Sequence, residues 1–530
     1  MRTTRLFLAA AMAAVSVAAE AAYVRGELVW KCDFTQAEAE AHGLASHKLA
    51  SDGTGVEYAS KDGATGDGAM RFVSRDQKGC ALITLKPDVD VDGMVLVEAD
   101  VKGVGVGAGF RHWNGPKVMM PYVPSSKNGK TSYPQMLAET GSFDWKTWTM
   151  VEDFGKPDKL PVIVLGLEQA AGELLIDSVR VYRAKEVPDE QVVVPVNEAA
   201  KNIRRGPFAD GHHNPKAVRG VMSGGDLSDA SLDNLAGWGA NVMRLQLEGK
   251  ELRRAESVPA YFSALSNKLD WCVDVMDRCA KRGIKIVVDL HAGPACVSSK
   301  YASNMIPPDY DAGELVRAWE LIASRLKDHP ATYAYDILNE PSVAPETWRR
   351  VCFDVMPVVR KVDAKTPFVV ETCKYWYEGE NVIYSPHFYK PNTITHASVG
   401  APTTVHWSYP GYINGVYWDK EQMRVSLKPW IDFQAAHPEA EILVGEFSCI
   451  LWSKGADKYI RDCIEIFEEY GWSWCYHAYR EWPAWDVEYT HVGDYEHGKW
   501  TKATTDTDRK KELVKGLSYN SRPPTVPTGN

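Results

Sequence analysis

Eight short apolar runs alternate with amphipathic segments from residue 217 towards the C-terminus of this chain. The runs lie at about 217–223, 241–247, 284–291, 333–339, 367–373, 382–388, 441–447 and 471–478. Strands that alternate with helices form parallel sheets, because each helix carries the chain back to the start of the next strand. Eight strands in about 300 residues is the number and size of a (β/α)8 (TIM) barrel. We therefore predict an α/β fold of this type for residues 216–520.

A doubly wound open sheet is the alternative arrangement of the same elements. Its main support is the fifth unit, because the segment between Cys373 and Val382 is too short for a full helix. Two other segments have clear helical stripes, with apolar residues at i, i+3, i+4 and i+7. These residues are Leu269, Cys272, Val273 and Met276 in one segment and Ile460, Cys463, Ile464 and Phe467 in the other. The stripes predict helices whose apolar faces cover a barrel.

Residues 22–185 have a different pattern. Short alternating segments are broken by Gly, Asp, Asn and Pro, which is typical of an all-β sandwich. The segments 28–34 and 172–182 resemble the first and last strands of jelly-roll carbohydrate-binding modules. Trp113, Trp145 and Trp148 are candidate platforms for sugar rings, and a place in the sandwich core is the alternative for each. We predict a domain of this kind in front of the barrel.

Three further segments have the composition of a leader, a linker and a tail. Residues 1–21 combine two arginines, an apolar run and Ala-Glu-Ala, which is typical of a cleaved secretory signal. We therefore expect a secreted protein, located in the periplasm, on the cell surface or outside the cell. Residues 186–215 lose periodicity and are interpreted as a linker. Residues 521–530 contain three prolines and are predicted to be a disordered tail.

Charge and cysteine usage exclude several classes of partner. The net charge is −10 and basic residues are not clustered, so nothing favours nucleic acid or an anionic membrane surface. No stretch after the leader is long and apolar enough to span a bilayer. We expect the protein to be a monomer. No Cys/His spacing typical of zinc occurs, and we predict neither metal nor cofactor. Cys32 and Cys80 could pair in an oxidising compartment.

Polar side chains recur where the predicted barrel strands end. They are Arg244, His291, Asn339, Glu340, His387, Tyr389 and Glu446. The carboxyl ends of barrel strands form one rim, and active sites lie there. Because unpaired buried charges are costly, packing alone does not explain two carboxylates, an arginine and two histidines at five strand ends. We predict that these residues form one site.

Glu340 and Glu446 are the candidate catalytic pair. Hydrolysis of a glycosidic bond needs a proton for the leaving oxygen and a carboxylate for the oxocarbenium-like centre. The fourth and seventh strands face each other across a barrel, so their ends can hold two carboxyls on opposite sides of a sugar. We expect the two environments to separate the pKa values, with Glu340 kept protonated and Glu446 kept ionised.

These residues resemble glycoside hydrolase family 5, a group of retaining (β/α)8 enzymes that act on β-linked glycans. The resemblance covers residues from about 201 to 518. It is carried by Asn339-Glu340 and by Glu446 in Val-Gly-Glu-Phe. It implies that Glu340 is the acid/base, that Glu446 is the nucleophile, and that Asn339 binds the 2-hydroxyl of the cleaved sugar. Arg244, His291, His387 and Tyr389 lie where the family keeps residues that orient the nucleophile and the sugar. Retention by double displacement would follow, with carboxyls about 5 Å apart.

The predicted eighth strand departs from the family pattern. The family usually places a Trp at the end of this strand as a platform for the same sugar. Counting from Gly471 puts His477 near that position, with Trp474 and Trp482 as neighbours. All three are candidate substrate-binding residues, although Trp474 could instead belong to the barrel interior. The innermost sugar site is therefore the part of the resemblance that this sequence leaves open.

The resemblance implies a substrate class rather than one substrate. An endo-β-1,4-glucanase resembling cellulases is the first expectation, and β-mannanase, xylan-type or other β-glycosidase activity are alternatives. A non-catalytic carbohydrate-binding protein is an alternative of a different class, against which the presence of both carboxylates argues. The loops 293–310 and 401–418 are candidate cleft walls, although the second could cover the barrel flank.

Overall fold

The structure is a computed structural model that describes most of residues 21–520. The residues it leaves out within this range are 65, 108, 110–113, 122, 125–130, 137–139, 155–157, 161, 189–193, 195, 226, 296, 298–303, 305, 307–309, 372–373, 398–406, 415 and 493–498. The predicted leader up to residue 20, the predicted tail and the candidate platform Trp113 lie outside the described residues.

The front of the chain is built from antiparallel strands. Its elements are β1 (Ala21–Cys32), α1 (Gln36–Ala41), β2 (Gly55–Ala59), β3 (Ala69–Ser74), β4 (Cys80–Leu85), β5 (Asp90–Val91), β6 (Met94–Val106), β7 (Gly115–Met119), β8 (Val123–Pro124), β9 (Thr131–Ser132), β10 (Gly141–Asp153), β11 (Asp158–Lys159), β12 (Ile163–Glu168) and β13 (Gly172–Pro188). One sheet has the order β10-β6-β13-β3-β2 with β1 also on β13, and a second has the order β4-β12-β7. Apolar side chains from both sheets share one core, and the all-β prediction is confirmed.

Burial decides the sequence alternatives for one of the candidate platforms in the front region. Trp148 is 5% exposed and its ring packs 5.9 Å from that of Phe143, so it is a core residue rather than a platform. Trp145 is partly exposed. Cys32 is buried and Cys80 is exposed, and both are free thiols.

The rest of the chain alternates strands and helices. Its elements are α2 (Glu198–Lys201), β14 (Arg219–Ser223), α3 (Asp229–Trp238), β15 (Val242–Gln246), α4 (Lys250–Arg253), α5 (Val258–Ala280), β16 (Lys285–Asp289), α6 (Gly313–Leu326), β17 (Thr332–Asp336), α7 (Pro345–Val362), β18 (Phe368–Glu371), β19 (Val382–Ser385), β20 (His387–Phe388), α8 (Asn392–Thr395), β21 (Gly411–Ile413), β22 (Val416–Trp418), α9 (Lys420–Ala436), β23 (Glu441–Phe447), α10 (Ala456–Tyr470), β24 (Ser473–His477), β25 (Tyr489–His491), β26 (Trp500–Lys502) and α11 (Asp508–Leu517).

Eight parallel strands close into a barrel. Neighbours follow the order β19-β18-β17-β16-β15-β14-β24-β23, and β19 pairs with β23 to complete the circle. The predicted (β/α)8 fold is confirmed, and the open sheet is wrong because β19 and β23 would then be unpaired edges. The described residues between β18 and β19 include no helix, in agreement with the short segment noted in the sequence.

The barrel interior is layered, with an apolar layer below a polar one. The apolar layer is formed by Val242, Val287, Ala334, Val369, Ile383, Leu443 and Cys475. Side chains on a strand alternate between two faces, so residues two positions later also point inward, nearer the carboxyl ends. On five strands these are Arg244, Asp289, Asp336, Glu371 and His477. The polar residues of the candidate site therefore lie on the apolar filling of the barrel.

At the opposite end of the barrel, Arg219 and Glu468 form a buried ion pair. Arg219 begins β14 and is 1% exposed, and Glu468 lies on α10 and is 5% exposed. The guanidinium donates two hydrogen bonds to the carboxylate, at 2.7 Å from Nε and 2.6 Å from Nη2. This bidentate geometry offsets the cost of burying both charges. The pair ties a helix to the amino end of the barrel, away from the polar layer.

The front sandwich packs against the barrel beside the loop after β20. The ring of Tyr23 meets that of Trp407 edge-on at 6.0 Å, and the backbone N–H of Val151 donates to Asn414 Oδ1 at 3.3 Å. Trp407 is 6% exposed, so the described part of the loop 401–418 covers the barrel flank, the second of the two alternatives. Among the residues described here, no helix is long and apolar enough to cross a membrane.

Candidate active site

The guanidinium of Arg244 lies at the centre of the polar layer. Its side chain is fully buried, and it contacts acidic or amide groups from several strands. The contacts are Asp336 Oδ2 (2.8 Å from Nε), Glu446 Oε1 (2.8 Å from Nη1), Asn339 Oδ1 (3.0 Å from Nη2), Glu371 Oε1 (2.5 Å from Nη2) and Asp289 Oδ1 (3.2 Å from Nη2). Every nitrogen of the guanidinium is engaged, so the arginine is fixed in one position.

Three of these acids are the last residues of adjacent strands. Asp289 ends β16, Asp336 ends β17 and Glu371 ends β18, and none has exposed surface. Burial raises the pKa of Asp336 well above its ordinary value, and the charge of Glu371 raises it further, although the charge of Arg244 acts in the opposite direction. All three are absent from the site residues predicted from the sequence. Each continues an apolar run on its inward face, and that position was the available signal.

Glu446 lies on β23 and reaches the site through an irregularity of its strand. From the inward-facing Leu443, strict alternation would turn residue 446 away from the interior. The register of β23 against β24 shifts between Val444 and Phe447, where β23 has one residue more than its partner strand. This bulge turns the side chain of Glu446 towards the interior. Glu446 Oε1 accepts from Arg244, and Oε2 accepts from the hydroxyl of Tyr389 at 2.7 Å. Both oxygens are thus held.

The surroundings of Glu446 favour its ionised form. Burial alone would raise the pKa of this carboxyl, but positive charges nearby outweigh it and hold the pKa well below its usual range. The charges belong to His387, His477, Arg244 and His291. Burial and the charge of Glu446 raise the pKa of Tyr389, whose hydroxyl therefore remains a hydrogen-bond donor.

Glu340 lies beyond the end of β17 and is more open to solvent. Its side chain is 46% exposed, and its Oε1 lies 2.9 Å from His387 Nδ1. Its backbone has a φ of +43°, in the left-handed region that residues other than glycine rarely adopt. Asn304 Nδ2 donates to the carbonyl oxygen of Glu340 at 3.1 Å, which places the loop after β16 beside it.

His291 and Asn339 complete the predicted set. His291 Nδ1 lies 2.8 Å from Asp289 Oδ2, and its Nε2 lies 3.3 Å from Glu248 Oε2. Burial alone would lower the pKa of His291, but Asp289 outweighs it and raises that pKa. Asn339 is 6% exposed and is held by Arg244. The structure thus brings together all seven strand-end residues that the sequence pointed to.

The two candidate carboxylates lie close together. Glu340, His387 and Glu446 each place one oxygen or ring nitrogen so that these atoms are all within 4.8 Å of one another. Carboxylates and histidine are also metal ligands. The guanidinium that holds Glu446 already supplies positive charge here, and this disfavours an added cation. The geometry suits proton transfer and nucleophilic attack between two carboxyl groups.

Comparisons with known proteins identify the family of the barrel. Residues 209–482, more than half of the chain, match the family model described as Cellulase (glycosyl hydrolase family 5). The chain belongs to this family. It is therefore a glycoside hydrolase with a carbohydrate substrate. Among curated proteins, none matches its sequence.

Solved structures of glycoside hydrolases resemble the chain at low sequence identity. One, described as a glycoside hydrolase, is 18% identical and has a TM-score of 0.47, covering 57% of this chain and 100% of its own. An endoglucanase from the hyperthermophilic Thermotoga maritima is 20% identical with a TM-score of 0.44, covering 57% and 98%. The cellulose synthase subunit Z of Clostridioides difficile is 14% identical with a TM-score of 0.44, covering 57% and 99%.

In this family 5 enzyme, the eighth strand places a histidine beside Glu446. His477 Nδ1 lies 2.7 Å from the hydroxyl of Tyr389 and 3.6 Å from Glu446 Oε2. Because the Tyr389 hydroxyl donates to Glu446, it accepts from the ring N–H of His477. On the other side, His477 Nε2 lies 3.6 Å from Glu481 Oε1. Gln246 Nε2 donates to Glu481 Oε2 at 3.1 Å, so this wall of the site is polar.

Of the two tryptophans predicted near this strand end, Trp474 is turned away from the site. The prediction that Trp474 binds substrate is wrong: it is fully buried, and its Nε1 donates to Glu468 Oε1 at 2.9 Å. The physical reason is strand alternation, which turns residue 474 towards the helices when His477 faces inward. Trp482 packs 4.8 Å from the ring of Trp485. Trp485, which the sequence analysis missed, lies 4.9 Å from the ring of His477.

Replacing His477 by asparagine should shift the acid limb of the pH profile. Burial alone would lower the pKa of His477, but Glu446 and Glu481 outweigh it and raise this pKa, so the ring is charged in the acid range. Without that charge the pKa of Glu446 rises, and less of it is ionised at low pH. We expect the acid limb of kcat/KM for His477→Asn to move up by about one pH unit.

The matched control is His329→Asn, because His329 also pairs with a carboxylate but precedes β17 at the other end of the barrel. Initial rates from pH 3 to 9 on one soluble substrate give both profiles. An unchanged acid limb in His477→Asn, or an equal shift in the control, would contradict the electrostatic role of His477.

Proposed function

We propose that this glycoside hydrolase acts with retention, with Glu446 as nucleophile and Glu340 as acid/base. The observation that carries the proposal is the short separation of the two carboxylates, whose nearest oxygens are within 4.8 Å. Retaining enzymes keep these groups about 5–5.5 Å apart, whereas inverting enzymes need about 6.5–9.5 Å to admit a water molecule. When the two carboxylates are as close as in retaining enzymes, no water molecule fits between Glu446 and the sugar.

The different surroundings of the two carboxylates support their separate roles. Glu446 is 5% exposed, and its pKa is held low, so it is ionised and ready to attack. The side chain of Glu340 is 46% exposed, which leaves it open to a leaving group and to water. A nucleophile needs a fixed charge, and an acid/base needs access to the exchanging proton.

The reaction has two displacements. In the first, Glu446 attacks the anomeric carbon while Glu340 gives its proton to the departing glycosidic oxygen, which forms a glycosyl ester on Glu446. In the second, Glu340 removes a proton from water, the water oxygen attacks the same carbon, and the ester bond to Glu446 breaks. Arg244 and Tyr389 hold the two oxygens of Glu446 throughout.

We propose that the substrate is a β-1,4-glucan, such as cellulose or mixed-linkage glucan, and that the enzyme cleaves it at internal bonds. The support is the cellulase family to which the chain belongs. β-Mannan, xylan-type and other β-linked glycans stay as alternatives. The polar wall formed by His477 and Glu481 differs from the aromatic platform that the resemblance led us to expect.

Azide should distinguish the two carboxylates by the configuration of the product. In Glu446→Gly, azide can occupy the space of the lost carboxylate and attack directly, which gives an inverted glycosyl azide from an activated aryl glycoside. In Glu340→Ala, the glycosyl ester still forms, and azide then attacks it to give the retained product. Without azide we expect both variants to lose at least about 100-fold in kcat on unactivated substrate.

Product configuration is measured by proton NMR, with the wild-type protein in azide as the control. The wild type should give no glycosyl azide, because its Glu340 deprotonates water for the second step. Exchanged product configurations in the two variants would mean that the roles of Glu340 and Glu446 are reversed.

A panel of polysaccharides tests the substrate proposal. We expect the purified protein to lower the viscosity of soluble β-1,4-glucan early in the reaction and to release oligosaccharides of mixed length. Glu446→Gln should release none and serves as the inactive control. Cleavage restricted to β-mannan or to xylan would contradict the proposed β-1,4-glucan and identify that glycan as the substrate. Binding without cleavage on every glycan would favour the non-catalytic alternative.

We also propose that the protein is exported. The support is the sequence of residues 1–21, with its basic start, apolar run and Ala-Glu-Ala. The expected mature N-terminus is residue 22 or a close neighbour, and mass spectrometry of protein recovered outside the cytoplasm measures it. Protein that keeps residues 1–21 and remains in the cytoplasm would contradict export.

A further inference from the structure

Glu371 is buried between the two halves of the catalytic centre. Its Oε2 accepts from the backbone N–H of Glu340 at 2.5 Å, and its Oε1 accepts from Arg244 Nη2 at 2.5 Å. Its own backbone carbonyl accepts from Trp348 Nε1 at 3.1 Å, so α7 fixes the end of β18 from outside. Glu371 therefore touches the chain of one candidate catalytic residue and, through Arg244, the carboxylate of the other.

The bond to Glu340 has a conformational consequence. Glu340 is held with a φ of +43°, where its side chain crowds its own backbone. A charged acceptor on the backbone N–H forms a stronger hydrogen bond than a neutral one and offsets part of this strain. Glu371 thus determines the direction in which the Glu340 carboxyl leaves the chain.

The same carboxylate faces the far side of His387. The ring has Nε2 at 3.3 Å from Glu371 Oε1 and Nδ1 at 2.9 Å from Glu340 Oε1. Glu446 Oε1 lies 3.8 Å from Nδ1, and a Cβ at position 445 would lie 2.8 Å from Nε2, so Gly445 leaves the space that the ring fills. Burial alone would lower the pKa of His387, but Glu371 and Glu446 outweigh it and raise this pKa well above its ordinary value.

We propose that Glu371 is a positioning residue of the acid/base step. The Glu371 carboxylate faces Nε2 of His387 and holds the ring, so that Nδ1 of His387 shares a proton with the Glu340 carboxyl. This inference rests on the proposed role of Glu340. No proton passes to Glu371. The proton that Glu340 gives to the leaving oxygen is replaced by the one that it takes from water in the second displacement, and Glu371 keeps its charge throughout.

The test is the isosteric variant Glu371→Gln, which keeps the size of the side chain and removes its charge. A nearby negative charge stabilises the protonated form of the Glu340–His387 pair, so its removal makes the pair lose its proton at lower pH. We expect the basic limb of kcat/KM to move down by about one pH unit or more. We also expect kcat to fall about 100-fold with KM changed less than about threefold, because the acid/base step is affected and not the binding of sugar.

Glu468→Gln is the matched control. It removes another buried carboxylate that is paired with an arginine, at the other end of the barrel. It should lower the midpoint of thermal unfolding and leave the basic limb where it is in the wild-type protein. A merely structural role for Glu371 predicts the same result for both variants, so an unmoved basic limb in Glu371→Gln overturns the inference.

Glu371→Asp covers the case in which the glutamine variant does not fold. Aspartate keeps the charge but withdraws the carboxylate by one methylene, so we expect the wild-type basic limb together with a lower kcat. Full kcat in Glu371→Asp would overturn the inference, because position would then not matter. If Glu340→Ala and Glu446→Gln retain activity, the proposed roles themselves fail. If those variants are inactive and the Glu371 variants behave like wild type, only the inference about Glu371 fails.

Discussion

The candidate catalytic centre depends on one buried cation, the guanidinium of Arg244. A charge with no exposed surface must be matched by hydrogen-bonded partners, or its burial would oppose folding. Arg244 has such partners on β16, β17, β18 and β23 and in the loop that carries Asn339. The strand ends are thus drawn to a common point. Glu446 binds this guanidinium directly, and so does Glu371, which holds the backbone N–H of Glu340. The spacing between the carboxylates of Glu340 and Glu446 therefore depends on Arg244.

The charges of the centre are unevenly distributed. Four of its carboxylates lie beside Arg244 or beside a histidine whose pKa is raised. The carboxylates belong to Asp289, Glu340, Glu371 and Glu446, and the cations to Arg244, His291, His387 and His477. Glu446 lies among the cations and away from solvent, whereas Glu340 lies at the open edge. Two chemically identical side chains thereby acquire the different properties that general acid–base and nucleophilic catalysis require.

The eighth strand gives this enzyme a polar wall in its innermost site. His477 connects to Glu446 through the hydroxyl of Tyr389, and Glu481 and Gln246 continue the polar surface. Trp485 follows β24 in a loop, and its ring lies 4.9 Å from that of His477 at a tilt of 42°. A sugar in this site would meet hydrogen-bonding groups where a flat apolar ring was expected. His477, with its raised pKa, therefore lies between Glu446 and the rest of this polar wall.

The sequence by itself determined the barrel and the positions of its polar strand ends. Alternating apolar runs and helical stripes follow from backbone geometry, and parallel strands bring their carboxyl ends to one rim, so Arg244, Glu340 and Glu446 could be placed together. Strand alternation was also available for Trp474, and applying it would have turned that residue away from the site. Only the tertiary structure decided the positions of Glu371 and Trp485, the raised pKa of Asp336 and the inward turn of Glu446. These depend on distances between strands and on a register shift, and neither leaves a periodic signal in one chain.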